Sequence, residues 1–218
     1  MFLLRRCVKA LALIAIVAAL ATAPIAAQYV VAISFDELAA GAAPGGFFFA
    51  TARQATPGQW QVQGTLRRHL IHAADPSVTM RGISIAGVDM PAPADVKVSA
   101  RVRLVDHDRA GGLIWRYRDA NNFYFMSVFH LEHRVTLARV TGGNRIVLAS
   151  APDVDLDPEA WHSLTVVHRD DQVLGTIDGI GLLRARDRTL TEGGRAGIWS
   201  AGNSTSWFDD VAIEHAPR

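Results

Sequence analysis

The sequence predicts an antiparallel, all-β architecture. Three observations carry that expectation. Apolar and polar residues alternate with period two, Gly, Asp and Asn turn signals interrupt the alternation at short intervals, and beyond the first 27 residues helical periodicity is almost absent. The clearest strand is Val96 to Leu104, where Val96, Val98, Ala100, Val102 and Leu104 point one way and Lys97, Ser99, Arg101 and Arg103 the other. Gly112 to Tyr117 follows, then the turn Asp119 to Asn122, then Phe123 to Phe129. Val135 to Val140 closes on Thr141-Gly-Gly-Asn144, a strong hairpin turn, with Arg145 to Ser150 as its partner. Ser163 to His168 and Val173 to Ile177 flank an Arg-Asp-Asp-Gln turn, and Asp178-Gly179 marks another. Ala196 to Ser200 and Trp207 to Glu214 complete the set, and Pro158-Glu159-Ala160 suggests one helical turn before Trp161. The stretch from Gln28 to Gly87 is less regular and yields poor strand boundaries. Closely spaced strands without intervening amphipathic helices mean antiparallel pairing, and one sandwich of two sheets is the economical way to bury about 190 residues of this composition.

The N-terminus predicts a compartment. Arg5, Arg6 and Lys9 precede the apolar run Ala10 to Ala21, and Thr22 to Ala27 supplies small residues with Ile25 and Ala27 at the cleavage positions before Gln28. This is the three-part signal-peptide pattern, with an apolar core shorter than a membrane span of about 20 residues. The expected organisation is a signal peptide at 1–27 and a single sandwich domain at 28–218, in the periplasm or secreted, with no membrane attachment after cleavage. An uncleaved anchor is the alternative. Arginine outnumbers lysine 20 to 2 and alanine is abundant, as in GC-rich bacterial genomes. The only cysteine, Cys7, lies in the leader, so residues 28–218 carry neither disulfide nor thiolate chemistry. Removing Arg5, Arg6 and Lys9 from the 22 basic residues leaves 19 against 21 acidic, a net charge of −2. That argues against a nucleic-acid binder, which needs a basic footprint.

Motifs spread over most of residues 28–218 resemble the laminin-G-like branch of the concanavalin A-like lectin and glucanase jelly rolls. Phe35-Asp36-Glu37 with Gly41, Pro44 and Gly45 resembles the opening strand and loop, and Trp60 to Gly64 the next strand. Gly112-Leu-Ile-Trp-Arg-Tyr-Arg-Asp-Ala-Asn-Asn-Phe-Tyr124 is similar to the family's G-L-x-x-R-x-x-D-x-x-N-Y-Y hairpin, with Phe123 in place of the first tyrosine. Trp161-His-Ser-Leu-Thr-Val166 with Asp178-Gly179 resembles its W-x-x-L-x-V and D-G pair, and Gly194 to Ile198 and Trp207 to Val211 its closing strands. The resemblance implies a jelly roll that binds or cleaves glycans or serves in adhesion, with a related bacterial group similar to 3-keto-glycoside hydrolases. The glucanase carboxylate strand, E-x-D-x-x-E, is absent, and Ala110-Gly-Gly-Leu113 stands where the keto-glycoside group tends to have Asn-Ser-Gly.

Within a jelly roll, one sheet face can be an open binding surface. Arg101 and Arg103 lie opposite the Val98/Val102 face, and Arg116 is expected outward between inward Trp115 and Tyr117. Polar Ser127 places Phe125 and Phe129 on its own face, with Tyr124, Met126 and Val128 buried, and Trp199 alternates with Ile198. Arginine forks and aromatic faces are the groups that hold sugars or other flat polar ligands, so Arg101, Arg103, Arg116, Phe125, Phe129 and Trp199 form the candidate ligand site. The alternative is that the three aromatics are covered by the segment Gln28 to Gly87. Metal candidates are of two kinds. His130, Glu132 and His133 carry donors for Zn²⁺ if a turn brings positions 130 and 133 together. Asp36, Asp209 and Asp210 are hard oxygen donors at the terminal strands, suited to a structural Ca²⁺ but short of the six to eight ligands it needs. No spacing selects a nucleophilic triad, and no G-x-S-x-G elbow occurs. The leading expectation is a non-catalytic extracytoplasmic module binding a carbohydrate or similar polar ligand. The alternatives are a metal-assisted glycoside or 3-keto-glycoside hydrolase and a protein-interaction or adhesion module.

Overall fold

A computed structural model describes residues 30–52, 58–73, 82–105 and 110–217; the signal peptide expected at 1–27 lies outside them. These residues form β1 (Val30–Ile33), β2 (Phe47–Ala52), β3 (Gln59–Gln63), β4 (His69–Ala73), β5 (Ile83–Val88), β6 (Val96–Leu104), β7 (Ala110–Asp119), β8 (Asn122–Phe129), β9 (Arg134–Thr141), β10 (Asn144–Ala151), β11 (His162–Arg169), β12 (Gln172–Ile177), β13 (Ile180–Arg186), β14 (Arg195–Ala201) and β15 (Ser206–His215), with no helix among them. One sheet has the order β13-β12-β11-β6-β15-β4-β3, with β1 also paired to β15; the other runs β10-β9-β8-β7-β14-β5-β2. Every pairing is antiparallel. The predicted all-β sandwich is present, and the strands foreseen from β6 onward appear in place. The irregular stretch before residue 88 supplies five strands, and β13 was not foreseen. Pro158 to Ala160 is a turn rather than helix.

The turns form where backbone conformation demands it. Gly142 and Gly143 both have positive φ (56° and 80°), as do Asp178 and Gly179 (50° and 78°), which is what tight two-residue hairpins require. Gly194 is needed for a different reason. A Cβ there would sit 2.6 Å from the carbonyl oxygen of Tyr117 and 2.8 Å from the Arg116 carbonyl carbon, because the chain entering β14 runs hard against the bulged backbone of β7.

The inter-sheet core takes the inward set from both layers. Val96, Val98, Ala100, Val102 and Leu104 of β6 face Leu113 and Trp115 of β7, Tyr124, Met126 and Val128 of β8, and Ile198 of β14. The other face of the seven-stranded sheet is apolar as well. Ile83, Ile85, Ile114, Tyr117, Phe123, Phe125 and Trp199 are buried there, with Phe48, Ala50 and Phe129 packed against them. The sheet is therefore buried on both faces, so its central strands read as near-continuous apolar runs. Phe125 and Trp199 are not open as expected: Trp199 is 3% exposed, stands edge-on to Phe125, and donates its indole N–H to the Met126 carbonyl. Phe48 and Ala50 of β2 and Ile83 and Ile85 of β5 join the same cluster as neighbours within that sheet.

Arg116 is a second departure. It is 1% exposed, not outward. The β7–β8 register shifts after Trp115, and Arg116 adopts φ 46°, so Ile114 and Tyr117 share the outer face while Trp115 faces inward. The bulge turns the guanidinium into the end of the core, where it donates to the carbonyls of Ala94 (2.8 Å) and Leu190 (2.7 Å) and lies 5.9 Å from the Tyr124 ring. Beside it, Trp115 Nε1 donates to His168 Nδ1 (2.9 Å). The Tyr124 hydroxyl donates to Asp187, which also pairs with Arg139, and accepts from the Leu190 amide (3.1 Å). This polar network pins the 187–190 loop across the end of the sandwich.

Two outcomes follow for this network. Arg116→Ala leaves the Ala94, Leu190 and Asp170 carbonyls without their donor and opens a void, so urea unfolding should show a loss of about 3 kcal/mol; unchanged stability would mean that the side chain is not built into the fold. His168 has its pKa pulled down to about 3, by burial first and then by the Arg116 charge. An unfolded histidine takes a proton near pH 6.5, so the unfolded state is favoured as pH falls from there toward 3, by up to about 1.4 kcal/mol per pH unit for this group. His168→Gln keeps an acceptor for Trp115 and should flatten the acid limb of the stability profile by one proton's slope. An unchanged slope between pH 6 and 4 would count against this assignment.

Candidate functional site

The outer face of the eight-stranded sheet is where polar and aromatic groups meet solvent. Arg101 and Arg103 project there from β6, as the alternation predicts, with side chains 34% and 28% exposed. Antiparallel pairing sets Trp207 of β15 opposite Arg103 and Asp209 opposite Arg101. The Arg103 guanidinium lies 5.4 Å from the Trp207 ring centre, and Arg101 lies 5.0 Å from that of Trp161, which enters from the turn before β11. His69 of β4 joins the two indoles, its ring 4.8 Å from Trp161 and 5.8 Å from Trp207. Its Nδ1 is 3.1 Å from an Asp209 carboxylate oxygen. Both tryptophans are half-buried.

A second bulge builds this patch. The β15–β6 register shifts between Asp209 and Ala212, and Asp210 has φ 49°. Phe208 and Val211 therefore both enter the core, three residues apart. Asp209 is turned toward His69, and Asp210 stands at the surface 3.5 Å from Arg101. Glu159, in the turn before Trp161, pairs with Arg103 at 2.5 Å. The result is a shallow platform with aromatic faces, fixed guanidinium donors and carboxylate acceptors.

The predicted ligand residues are divided between two sides of the sandwich. Arg101 and Arg103 lie on this platform. Phe125, Phe129 and Trp199 lie on the far face of the other sheet, with Arg145 stacked 5.5 Å from the Phe125 ring and 5.6 Å from that of Phe129. Arg116 is on neither surface. Trp161, Trp207 and His69 belong to the platform but were not named as ligand residues. Trp207 was recoverable, since it alternates with Phe208; His69 was not, because β4 carries no clean alternation.

The metal candidates do not converge. The turn at 130–133 does bring His130 and His133 to 6.0 Å between ring centres, but Glu132 is held by Arg134, and His133 lies 3.6 Å from Asp155. Asp36 accepts the Arg68 amide at 2.7 Å, which holds its carboxyl below the usual carboxylate range. Asp209 faces His69 and Asp210 faces Arg101, so neither is turned toward a shared centre. Among the described residues no group of three or more His, Cys, Asp or Glu side chains is placed to hold a metal ion. Each candidate carboxylate has a cationic or N–H partner of its own: Arg134 for Glu132, Arg101 for Asp210, His69 for Asp209 and the Arg68 amide for Asp36.

A cleft of about 520 Å³ opens at the end of the seven-stranded sheet, lined by Asp89, Tyr117, Arg118 and Arg195 among others. Its charges pair internally, Arg195 with Asp89 at 3.1 Å and Arg118 with Glu192 at 3.3 Å. Burial raises the Tyr117 phenol above its ordinary pKa, so it remains a neutral donor.

No protein-family model matches the sequence, and no curated protein does. Solved structures do match in fold. The carbohydrate binding module CBM66 from Bacillus subtilis superposes with a TM-score of 0.61 at 20% identity, over 76% of this chain and 94% of that one. The β-agarase A of Zobellia galactanivorans gives 0.61 at 13% identity, over 86% and 92%. Domain 4 of an extracellular arabinanase from Geobacillus stearothermophilus, solved with arabinotriose, gives 0.51 at 12% identity, over 87% and 91%. The strand order, the two antiparallel layers and these likenesses together identify the fold: the chain is an antiparallel two-sheet jelly-roll sandwich, similar in fold to these structures.

Proposed function

We propose that the protein is an extracytoplasmic, non-catalytic glycan-binding sandwich that holds sugar on the outer face of its eight-stranded sheet. The observation that carries this reading is the Arg101/Trp161 and Arg103/Trp207 pairing, two arginines stacked on two half-buried indoles on a solvent-facing sheet. Indole faces and edges pack on the C–H faces of pyranose or furanose rings. Guanidinium forks held against those rings donate hydrogen bonds in a fixed direction at little entropic cost. Asp210 and Glu159 add acceptors for sugar hydroxyls. Arg101 and Arg103 keep the role expected from sequence, while Trp161 and Trp207 take the stacking role assigned there to Phe125, Phe129 and Trp199. Similarity to a carbohydrate binding module and to an arabinotriose-bound domain supports a glycan as the ligand class. The basic, apolar and small-residue segments of residues 1–27 support export.

A glycan array followed by calorimetry tests the reading. The wild type should retain a glycan, and Trp207→Ala and Arg103→Ala should each weaken it at least tenfold, about 1.4 kcal/mol, with melting temperatures close to wild type. Phe125→Ala should instead destabilise the fold by about 3–5 kcal/mol. Absence of any retained glycan, or full affinity in Trp207→Ala, would overturn the assignment.

A further inference from the structure

At the opposite end of the same outer face, the three edge strands β11, β12 and β13 form a groove of about 620 Å³. Register places its side chains in two rows. Val167, Leu174 and Arg184 lie opposite one another across the three strands, and so do Arg169, Gln172 and Arg186. The floor is aliphatic and the walls are guanidinium groups. Arg169 is tethered by donating to the Pro217 carbonyl at 3.2 Å. Arg186 and the neighbouring Arg188 share a single carboxylate, Asp171, at 3.3 and 3.4 Å. Arg184 is exposed and has no ion-pair partner among the described residues. In a chain of formal charge +1, four arginines thus crowd one sheet edge against Asp170 and Asp171 of the connecting turn.

We propose that this groove binds a linear anionic polysaccharide, one carrying carboxylate or sulfate groups along its length. Arg184 and Arg186 are two residues apart on one strand, so about 7 Å separates them, and Arg169 lies two strands across, about 9–10 Å away. That spacing matches anions repeated along a chain rather than one small ion. Each guanidinium presents a planar fork that fits a carboxylate or sulfate. The recess admits a chain but not a flat lipid surface. Among the described residues no aromatic side chain lines it, which leaves it without the stacking platform that single-stranded nucleic acids use. The groove is distinct from the glycan platform. Arg169 lies eight residues beyond Trp161 along β11, roughly 26 Å at about 3.3 Å per residue.

Affinity electrophoresis of the purified protein at low salt provides the test, with alginate, dextran sulfate or neutral dextran in the gel. Wild type should be retarded by alginate, by dextran sulfate or by both, and the pattern identifies carboxylate or sulfate as the recognised anion. Neutral dextran should leave its mobility unchanged. The double variant Arg184→Gln/Arg186→Gln should lose at least tenfold in affinity for the retarding polymer, while its thermal stability and its binding of the array-identified glycan at the Trp207 platform stay at wild-type values. Loss of the platform in Trp207→Ala with retardation intact separates a failure of the glycan reading from a failure of this one. The proposal is overturned if neither polymer retards the wild type, if the double variant is retarded equally, or if only phosphatidylglycerol vesicles bind in an Arg184- and Arg186-dependent way.

Discussion

A β-strand presents alternate side chains to opposite faces, and in this sandwich the two sheets spend that alternation differently. The seven-stranded sheet buries both sets, one against the partner sheet and one in a second aromatic layer around Ile114, Phe123, Phe125 and Trp199. The eight-stranded sheet buries one set and leaves much of the other to water, as β6 shows by strict alternation of buried Val, Ala and Leu with half-buried Lys, Ser and Arg. Solvent-facing chemistry is therefore concentrated on one sheet. The arginine-rich composition meets that constraint, since its long apolar stems lie along the sheet while the charged heads stay hydrated.

Two bulges modify the alternation, and both redirect polar side chains. In β7 the extra residue takes Arg116 out of the surface set and into the end of the core. In β15 the same device brings Asp209 toward His69 and Asp210 toward Arg101, creating the carboxylate side of the platform. A residue with φ near +50° inside a strand is disfavoured for a side chain other than glycine. Hydrogen bonds from Arg116 and ion pairs from Asp209 and Asp210 offset that cost locally.

The two-sheet fold was legible because period-two patterning and hairpin turns are local properties: Val96 to Leu104 and Thr141 to Asn144 each declare their structure without reference to the rest of the chain. Arg101 and Arg103 were legible for the same reason. Arg116 was not, since parity counted along Gly112 to Tyr117 is correct only until the bulge, and nothing in Trp-Arg-Tyr marks where the count slips. Phe125 and Trp199 were placed on the right face but assigned to solvent, because a single strand does not reveal whether a second layer of side chains will cover it. His69 and Trp161 meet only through the crossing of β4 and the turn before β11, contacts more than 90 positions apart in sequence, as their numbers show. Such a pairing belongs to topology rather than to pattern.

The placement of the two proposed sites on one sheet has a physical consequence. Both the platform and the groove are built from side chains fixed by the same continuous hydrogen-bonded ladder, from β4 through β15, β6 and β11 to β13. Neither depends on a loop closing over the ligand, so the ordering entropy of binding is confined to a few side chains, several of which are already stacked or paired. A long glycan crossing the face diagonally would engage both ends at once, and the second contact would then be intramolecular. Rigidity sets the limit of that gain. The separation of roughly 26 Å is held by the sheet and cannot adjust, so only a chain long enough to span it gains from both sites, while short oligosaccharides meet each site alone.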